Sequence, residues 1–161
     1  MMATDKEHKT TVVGVISDTH GLLRPQALET LAGVDLILHA GDIGRADILD
    51  SLTSIAPVIA VRGNVDGGWA ASIPETVVVE IGNVMLYMLH DISRLDLKPE
   101  SANFAAVIYG HSHKPANEMR NGVRYFNPGS AGPRRFRLPI SVGKLLVDTS
   151  GVRGELIELR I

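Results

Sequence analysis

The sequence TVVGVISDTHG, residues 11–21, joins an apolar, β-branched run to a polar cluster. Such a run is typical of a buried strand. The same pattern returns in VDLILHAGD, residues 34–42, and in PVIAVRGNVD, residues 57–66. The two connecting segments, residues 24–33 and 47–55, have the apolar spacing of helices. The order β-α-β-α-β predicts a parallel sheet with right-handed crossovers.

The second half of the chain is rich in strand patterns and poor in helical ones. Two dipeptides, Gly82-Asn83 and Asn121-Gly122, are hairpin signals. The predicted strands are residues 76–81, 84–89, 105–109, 118–120, 123–126, 140–147 and 155–161. This number of strands predicts an α/β fold in which two mixed β-sheets pack as a sandwich flanked by helices, in four layers. We expect residues 11–161 to form one domain after a flexible leader, residues 1–10.

The composition excludes several classes of protein and site. The chain has 161 residues, 45% of them hydrophobic, with a net charge of −2. This balance lacks the basic character of a nucleic-acid-binding domain, so we expect no stable nucleic-acid partner. The absence of cysteine excludes disulfides and thiolate metal sites. The leader lacks the apolar core of a signal peptide and no apolar run is long enough to span a bilayer, so we expect a cytoplasmic protein. A homo-oligomer is compatible with the sequence.

Polar residues follow five of the predicted strands, at the point where each strand ends. In open α/β sheets, ligands bind outside the carboxyl ends of the strands. We therefore expect these five segments to converge on one crevice. The segments are Ser17-Asp18-Thr19-His20-Gly21, His39-Ala40-Gly41-Asp42, Arg62-Gly63-Asn64-Val65-Asp66, His90-Asp91 and Gly110-His111-Ser112-His113.

The residue types in these segments favour a particular class of metal. Imidazoles, carboxylates and an amide form a nitrogen and oxygen site that suits Mn, Fe, Co, Ni or Zn better than Ca or Mg. The ligands outnumber those that one tetrahedral ion needs, whereas two ions sharing a carboxylate would use them all. Two ions roughly 3.5–4 Å apart can hold a hydroxide between them and clamp the oxygens of an in-line displacement. This chemistry predicts hydrolysis of a small phosphoester substrate.

The order Asp-x-His, Gly-Asp, Gly-Asn-x-Asp, His, Gly-His-x-His resembles the calcineurin-like metallophosphoesterase superfamily. Within it, the chain is similar to the YfcE-type phosphodiesterases, which also resemble the retromer subunit Vps29. The short spacing from Asp42 to Asn64 and the segment Asn127-Pro128-Gly129-Ser130 are typical of that subgroup. The resemblance extends from about Val12 to the C-terminus.

The resemblance implies a dinuclear centre that binds two divalent ions, with Mn²⁺ expected and Ni²⁺, Co²⁺, Fe²⁺ or Zn²⁺ as alternatives. It implies that a hydroxide between the ions attacks phosphorus, with Asp42 as the shared ligand. It also implies that His111 helps to stabilise the developing charge and that Asp66 supports the site. The implied ligands are Asp18, His20, Asp42 and His113 for the first ion, and Asp42, Asn64, His90 and His111 for the second.

Two positions depart from the superfamily pattern. Many members carry a histidine that protonates the leaving group where this chain has Val65, a side chain that cannot donate a proton. The YfcE-type subgroup also lacks that histidine. Asp91 follows His90 where the superfamily often continues with Gly-His. The departure at Val65 predicts weak activity on esters with poor leaving groups. The function of the second histidine after His90 is missing or is supplied by another residue.

Several alternatives remain open from the sequence. Arg134 and Arg135 could contact the substrate phosphate, or they could belong to a solvated basic loop. Trp69 could be a substrate platform, or a packing or oligomer contact. His39 is interpreted as supporting the site rather than ligating. The whole protein could instead be a Vps29-like scaffold with a vestigial metal site, or a phosphate sensor with slow hydrolysis.

Overall fold

Strand β1, Thr11–Ile16, lies in the middle of a five-stranded mixed sheet because its apolar residues are covered on both faces. The computed structural model describes residues 9–161, so residues 1–8 of the predicted leader lie outside the described residues. The strand order is β10-β9-β1-β2-β3. The other strands of this sheet are β2 (Leu36–His39), β3 (Val58–Ala60), β9 (Ser141–Asp148) and β10 (Gly151–Glu158).

The two crossovers of this sheet are the predicted helices. Helix α1 (Pro25–Leu31) has proline in its first turn, and helix α2 (Ala46–Thr53) follows β2. Strands β1, β2 and β3 pair in parallel, as the β-α-β-α-β order predicts. Both helices bury their apolar sides against the outer face of the sheet. The buried residues of this layer include Ile16, Ala27, Leu31, Ile37, Ile48 and Leu52.

The second sheet is also mixed and has the order β4-β5-β6-β8-β7. Both predicted hairpins are present, as the antiparallel pairs β4–β5 and β7–β8. The two sheets share an apolar core whose central ring, Phe126, leaves no room for side chains at Gly143 and Gly154. The strands are β4 (Thr76–Ile81), β5 (Val84–Leu89), β6 (Phe104–Ile108), β7 (Ala116–Arg120) and β8 (Val123–Asn127).

The predicted fold class, two packed mixed sheets, is confirmed, and the structure refines its outer layers. The α-helices cover the first sheet. Over the second sheet lies an irregular segment with a 3₁₀ turn at Ile92–Arg94, and a second 3₁₀ turn lies at Gly68–Ala70. Ile92, Leu95 and Leu97 pack on a cluster that contains Tyr87 and Phe104, and this contact covers the outer face in place of a helix. No helix within residues 9–161 is both long and apolar enough to cross a membrane.

Two strands begin at least two residues earlier than the sequence predicts. Strand β10 begins at Gly151 rather than at residue 155, because Thr149 and Ser150 form a two-residue turn held by Ser150 N–H donating to Asp148 Oδ1 at 2.8 Å. Residues 151–154 are polar or glycine in part and show no strand pattern in the sequence. They join the strand through backbone pairing with β9. Strand β7 begins at Ala116 rather than at residue 118 for the same reason.

Candidate metal centre

The polar strand ends meet at one edge of the sandwich and form two clusters. The candidate ligand atoms within each cluster all lie within 4.8 Å of one another. Strands from both sheets contribute to each cluster, so the site is assembled by the packing of the two sheets. The first cluster is Asp18, His20 and His113, and the second is Asp42, His90 and His111.

The backbone at this edge adopts a conformation that side chains rarely take. Five of the six clustered residues have φ between 46° and 72°, in the left-handed region. This region is uncommon for residues other than glycine, and such strain concentrates at functional sites. The five residues are Asp18, His20, Asp42, His111 and His113. Neighbouring glycines allow the loops at this edge to pack closely, since a Cβ at Gly63 would collide with the Asp42 carboxylate.

Asp18 presents one free carboxylate oxygen to the first cluster. Its Oδ2 accepts hydrogen bonds from Ser17 Oγ at 2.7 Å and from His111 N–H at 3.1 Å. Its Oδ1 is buried without a hydrogen-bond partner among residues 9–161. His113 Nε2 is 3.4 Å and His20 Nε2 is 3.7 Å from that oxygen. The carboxylate and both imidazoles therefore point at a common centre.

In the second cluster, the acceptor atom Nε2 of His90 faces the carboxylate of Asp42. Its Nδ1–H donates to the Ala40 carbonyl at 2.7 Å, a tautomer assignment that leaves the lone pair on Nε2. Nε2 is buried without a hydrogen-bond partner within the described chain and lies 3.1 Å from Asp42 Oδ2. A lone pair and a carboxylate at this distance repel each other unless a proton or a metal ion lies between them. The backbone carbonyl thus orients the imidazole as it commonly does for metal-bound histidines.

Asp42 lies between the two clusters. Its Oδ1 accepts a hydrogen bond from Val65 N–H at 3.1 Å, which leaves Oδ2 free to face the site. Oδ2 is 3.1 Å from His90 Nε2 in the second cluster and 3.6 Å from His20 Nε2 in the first. One oxygen of Asp42 therefore approaches ligands of both clusters.

The electrostatics of the site favour bound cations. Burial alone would raise the pKa of Asp18, but the imidazoles of His113 and His20 hold that pKa well below its usual range. The Asp18 carboxylate raises the pKa of His20. Burial lowers the pKa of His90, and the Asp42 and Asp18 carboxylates outweigh this effect and raise it. The clustered carboxylates thus remain ionised and attract positive charge to the imidazoles.

Asn64 and Asp66 occupy different places in the loop after β3. Asn64 is exposed and lines a cleft of about 1010 Å³ that also contacts His90 and His111. Asp66 lines the same cleft, but its carboxylate is bound by backbone N–H groups. Its carboxylate accepts from Ile43 N–H at 2.9 Å, Gly44 N–H at 3.0 Å and Gly63 N–H at 2.8 Å. Asp66 therefore ties the Asp42 loop to the Asn64 loop.

His39 supports the site in a neutral form. Its Nδ1 accepts from Gly41 N–H at 3.1 Å, so its Nε2–H donates to Thr19 Oγ1 at 3.0 Å. Thr19 Oγ1 in turn donates to the Ile43 carbonyl at 2.7 Å. Complete burial lowers the pKa of His39 to about 4. This chain of hydrogen bonds joins two of the ligand-bearing loops.

Three supporting residues were not assigned a role from the sequence. Ser17 donates to Asp18, and Ser130 Oγ donates to the Asp18 carbonyl at 3.0 Å. Asn127 Nδ2 donates to the Gly110 carbonyl at 3.1 Å, just before His111. The segment Asn127-Pro128-Gly129-Ser130 was recognised only as a family pattern. Its composition of turn residues was the available signal, and its contacts depend on the tertiary structure.

The two arginines considered for substrate binding have different surroundings in the structure. Arg134 Nη1 donates to the Leu138 carbonyl at 3.2 Å and closes its own loop. Arg135 is exposed, and its positive charge acts on His20, where it opposes the larger effect of Asp18. Trp69 is partly exposed beside the Asn64 loop. Arg135 is thus the arginine of the pair whose charge reaches the first cluster.

Comparison with known proteins identifies the family to which this arrangement belongs. Residues 12–150 match the family described as the calcineurin-like phosphoesterase superfamily domain. The chain belongs to the calcineurin-like phosphoesterase superfamily. The expected resemblance is therefore confirmed over most of the chain, and the protein is a hydrolase of the metallophosphoesterase kind.

Related proteins occur in archaea and bacteria. A probable metallophosphoesterase of Methanocaldococcus jannaschii is 35% identical over 153 residues, covering 86% of this chain and 77% of that protein. The phosphodiesterase YfcE of Escherichia coli strain K12 is 29% identical, covering 84% of this chain and 88% of YfcE. The structure of vacuolar protein sorting 29 from Cryptosporidium parvum superimposes with a TM-score of 0.79 at 22% identity, covering 94% of this chain and 92% of that one. This last similarity concerns the fold.

Proposed function

We propose that this protein is a metal-dependent phosphodiesterase with a dinuclear centre. The observation that carries the proposal is the set of facing acceptors: Asp18 Oδ1 and His90 Nε2 are buried without hydrogen-bond partners among residues 9–161, and Asp42 Oδ2 lies 3.1 Å from His90. Buried polar atoms are normally satisfied, so such a group requires a ligand. The donor set contains imidazole and carboxylate groups, which suits a divalent transition metal, with Mn²⁺ expected.

The two clusters and the family resemblance support the proposed roles. Asp18, His20 and His113 would hold the first ion, Asn64, His90 and His111 the second, and Asp42 both. When bound, the ions would supply a hydroxide nucleophile held between them and neutralise phosphate charge. Arg135 would draw the anionic substrate toward His20. His111, exposed at the mouth of the cleft, would assist the developing charge on the phosphoryl oxygens. Asp66 would hold the two loops in register without touching substrate.

The experiment removes the metal and restores it selectively. The chelated protein receives Mn²⁺, Ni²⁺, Co²⁺, Zn²⁺ or Mg²⁺ and is assayed on bis(p-nitrophenyl) phosphate and p-nitrophenyl phosphate. We expect no turnover after chelation, recovery with a transition metal, and a preference for the diester. Asp18→Asn should lose metal and turnover, whereas the exposed control Asp47→Asn should keep both. Turnover that survives complete chelation would refute the proposal.

A second candidate function is a protein-binding scaffold, favoured by the fold similarity to vacuolar protein sorting 29. The complete set of clustered acceptors favours the enzyme. The same reconstitution separates the two functions, because a scaffold with a vestigial site would show no turnover with any of the five ions. An ordered pair of ions with turnover would exclude a purely structural role.

A further inference from the structure

The loop of residues 133–137, called here the arginine loop, begins directly against the first cluster. Gly132 packs so closely on this edge that a Cβ there would collide with the carbonyl oxygens of Thr19 and Asp18. The Arg24 guanidinium donates to the Gly132 carbonyl from both Nε and Nη2 at 3.3 Å. The base of the loop is therefore fixed beside the strand end that carries Asp18 and His20.

The loop presents an aromatic ring to solvent. Phe136 is 88% exposed and has φ of 54°, in the left-handed region. Both features are unfavourable for a bulky apolar residue in the free protein. The turn is closed by Leu138 N–H donating to the Arg135 carbonyl at 3.1 Å and by Arg134 donating to the Leu138 carbonyl at 3.2 Å. A structured turn thus holds the ring outward between arginines.

This combination suits one class of ligand. Aromatic rings stack on nucleobases regardless of base identity, and adjacent guanidinium groups bind phosphate oxygens. Arg135 is exposed three residues after Gly132, which packs on the strand end that carries Asp18 and His20. Arg137 follows Phe136 in the sequence and is also exposed. A ligand with a planar base and more than one phosphate would use all three side chains.

The cleft on the other side of the metal centre indicates what kind of bond is broken. Val65, 51% exposed beside Asn64, presents an apolar group. Two carboxylates near the second cluster act as acceptors: Asp66 binds backbone N–H groups, and Asp91 Oδ1 accepts from Ser93 N–H at 3.0 Å and Oγ at 2.8 Å. Arg62 and Arg94 line this cleft together with four carboxylates, those of Asp66, Glu75, Asp91 and Asp96. Because Val65 offers no proton to a leaving group, the site favours a leaving group that is stable without protonation.

We propose that the substrate is a nucleotide phosphoanhydride, with its base on Phe136 and its phosphates beside Arg135 and Arg137. This inference rests on the proposed function. The oxygen of a water molecule forms a new bond to the phosphorus on the nucleoside side. The bond from that phosphorus to the bridging oxygen breaks, and the second phosphate leaves with the electron pair. The proton released from water passes to solvent, so no protonation of the leaving group is needed.

The experiment compares three substrates with the metal-reconstituted protein. ADP has a base and an anhydride, methyl diphosphate has the anhydride alone, and adenylyl-3′,5′-adenosine has bases and an ordinary diester. ADP should exceed the dinucleotide in kcat/KM by about 100-fold, since a missing general acid costs about 10²–10⁴-fold where the leaving group is poor. Hydrolysis of bis(p-nitrophenyl) phosphate tests the phosphoesterase function separately.

Variants of the arginine loop test the stacking. In Phe136→Ala, the ratio of kcat/KM for ADP to that for methyl diphosphate should fall about tenfold, and Phe136→Trp should restore it. Met119→Ala is the matched control, because Met119 is a 56% exposed apolar side chain on β7. As a measurement independent of turnover, equilibrium dialysis of AMP with the chelated protein should show about tenfold weaker binding to Phe136→Ala.

The outcomes distinguish the inference from the function on which it depends. Equal rates on ADP and the dinucleotide, or an unchanged substrate ratio in Phe136→Ala, would overturn the nucleotide anhydride while activity on bis(p-nitrophenyl) phosphate still supported a phosphoesterase. Failure of every substrate with every ion would overturn both.

Discussion

Replacing Asp66 with asparagine tests whether this residue positions the site or reacts with substrate. The carboxylate accepts three backbone N–H groups, from Ile43, Gly44 and Gly63, at 2.8–3.0 Å. Asparagine has one acceptor oxygen and an NH₂ group, which would face one of these donors. We expect the free energy of unfolding to fall by about 2–4 kcal/mol, because a charge-assisted hydrogen bond is lost and a buried donor is left without an acceptor.

Thermal and chemical unfolding measure that change. For a chain of this size, the loss corresponds to a decrease of about 5–15 °C in Tm. The affinity for the second ion should fall about 10–100-fold, since Asp66 fixes the loop that carries Asn64. The control is Asp47→Asn, an exposed carboxylate paired with the exposed Arg45, which should change stability by less than about 0.5 kcal/mol. If Asp66→Asn kept its stability and metal content and lost only turnover, Asp66 would act on substrate and the positioning role would be wrong.

Three further predictions concern the metal centre and its support. Elemental analysis of the reconstituted protein should find two ions per chain, and saturation at one ion would contradict the dinuclear assignment. Asp42→Asn should weaken both ions whereas His20→Ala should weaken mainly one; an Asp42→Asn protein with two ions and substantial turnover would show that Asp42 is not shared. His39 contributes stability that is present above its ordinary pKa of 6.5 and is lost as the pH falls toward about 4, because the folded protein holds it neutral. This loss should amount to about 3 kcal/mol and should be reduced in His39→Asn when urea unfolding is measured across that range.

Much of the fold could be predicted because local patterns and tertiary structure agree. The run before Asp18 is apolar on both faces, as a central parallel strand requires. Asn121-Gly122 adopts positive φ at both residues, which is the hairpin geometry that this dipeptide favours. Strand β10 was displaced in the prediction because its half-exposed polar residues carry little signal of their own. The outer layer at Ile92–Arg94 was also missed, since an irregular segment that buries scattered apolar residues has no period to detect.

In the candidate site, too, features of short segments could be predicted, whereas features that depend on tertiary contacts could not. Ligand types and the glycines beside them are properties of short segments, so the candidate ligands could be named before the structure. The direction in which each ligand faces is not a local property. Asp18 is oriented by Ser17 and by the backbone of His111, which is 93 residues away in the chain. The separate behaviour of Arg134 and Arg135 likewise depends on the turn that they form.

The strain at the metal centre links folding to function. Residues held in the left-handed region cost about 1–3 kcal/mol each, and the two clusters contain five of them. These residues include Asp18, whose Oδ1 is buried without a hydrogen-bond partner among residues 9–161. That arrangement is unfavourable in the free protein and becomes favourable once a cation binds. The packed core of the two sheets must therefore hold this edge in place before any ligand binds. A bound ion stabilises only the folded chain, so metal binding should raise the unfolding temperature. The groups that would bind the ion belong to the residues whose backbone is strained.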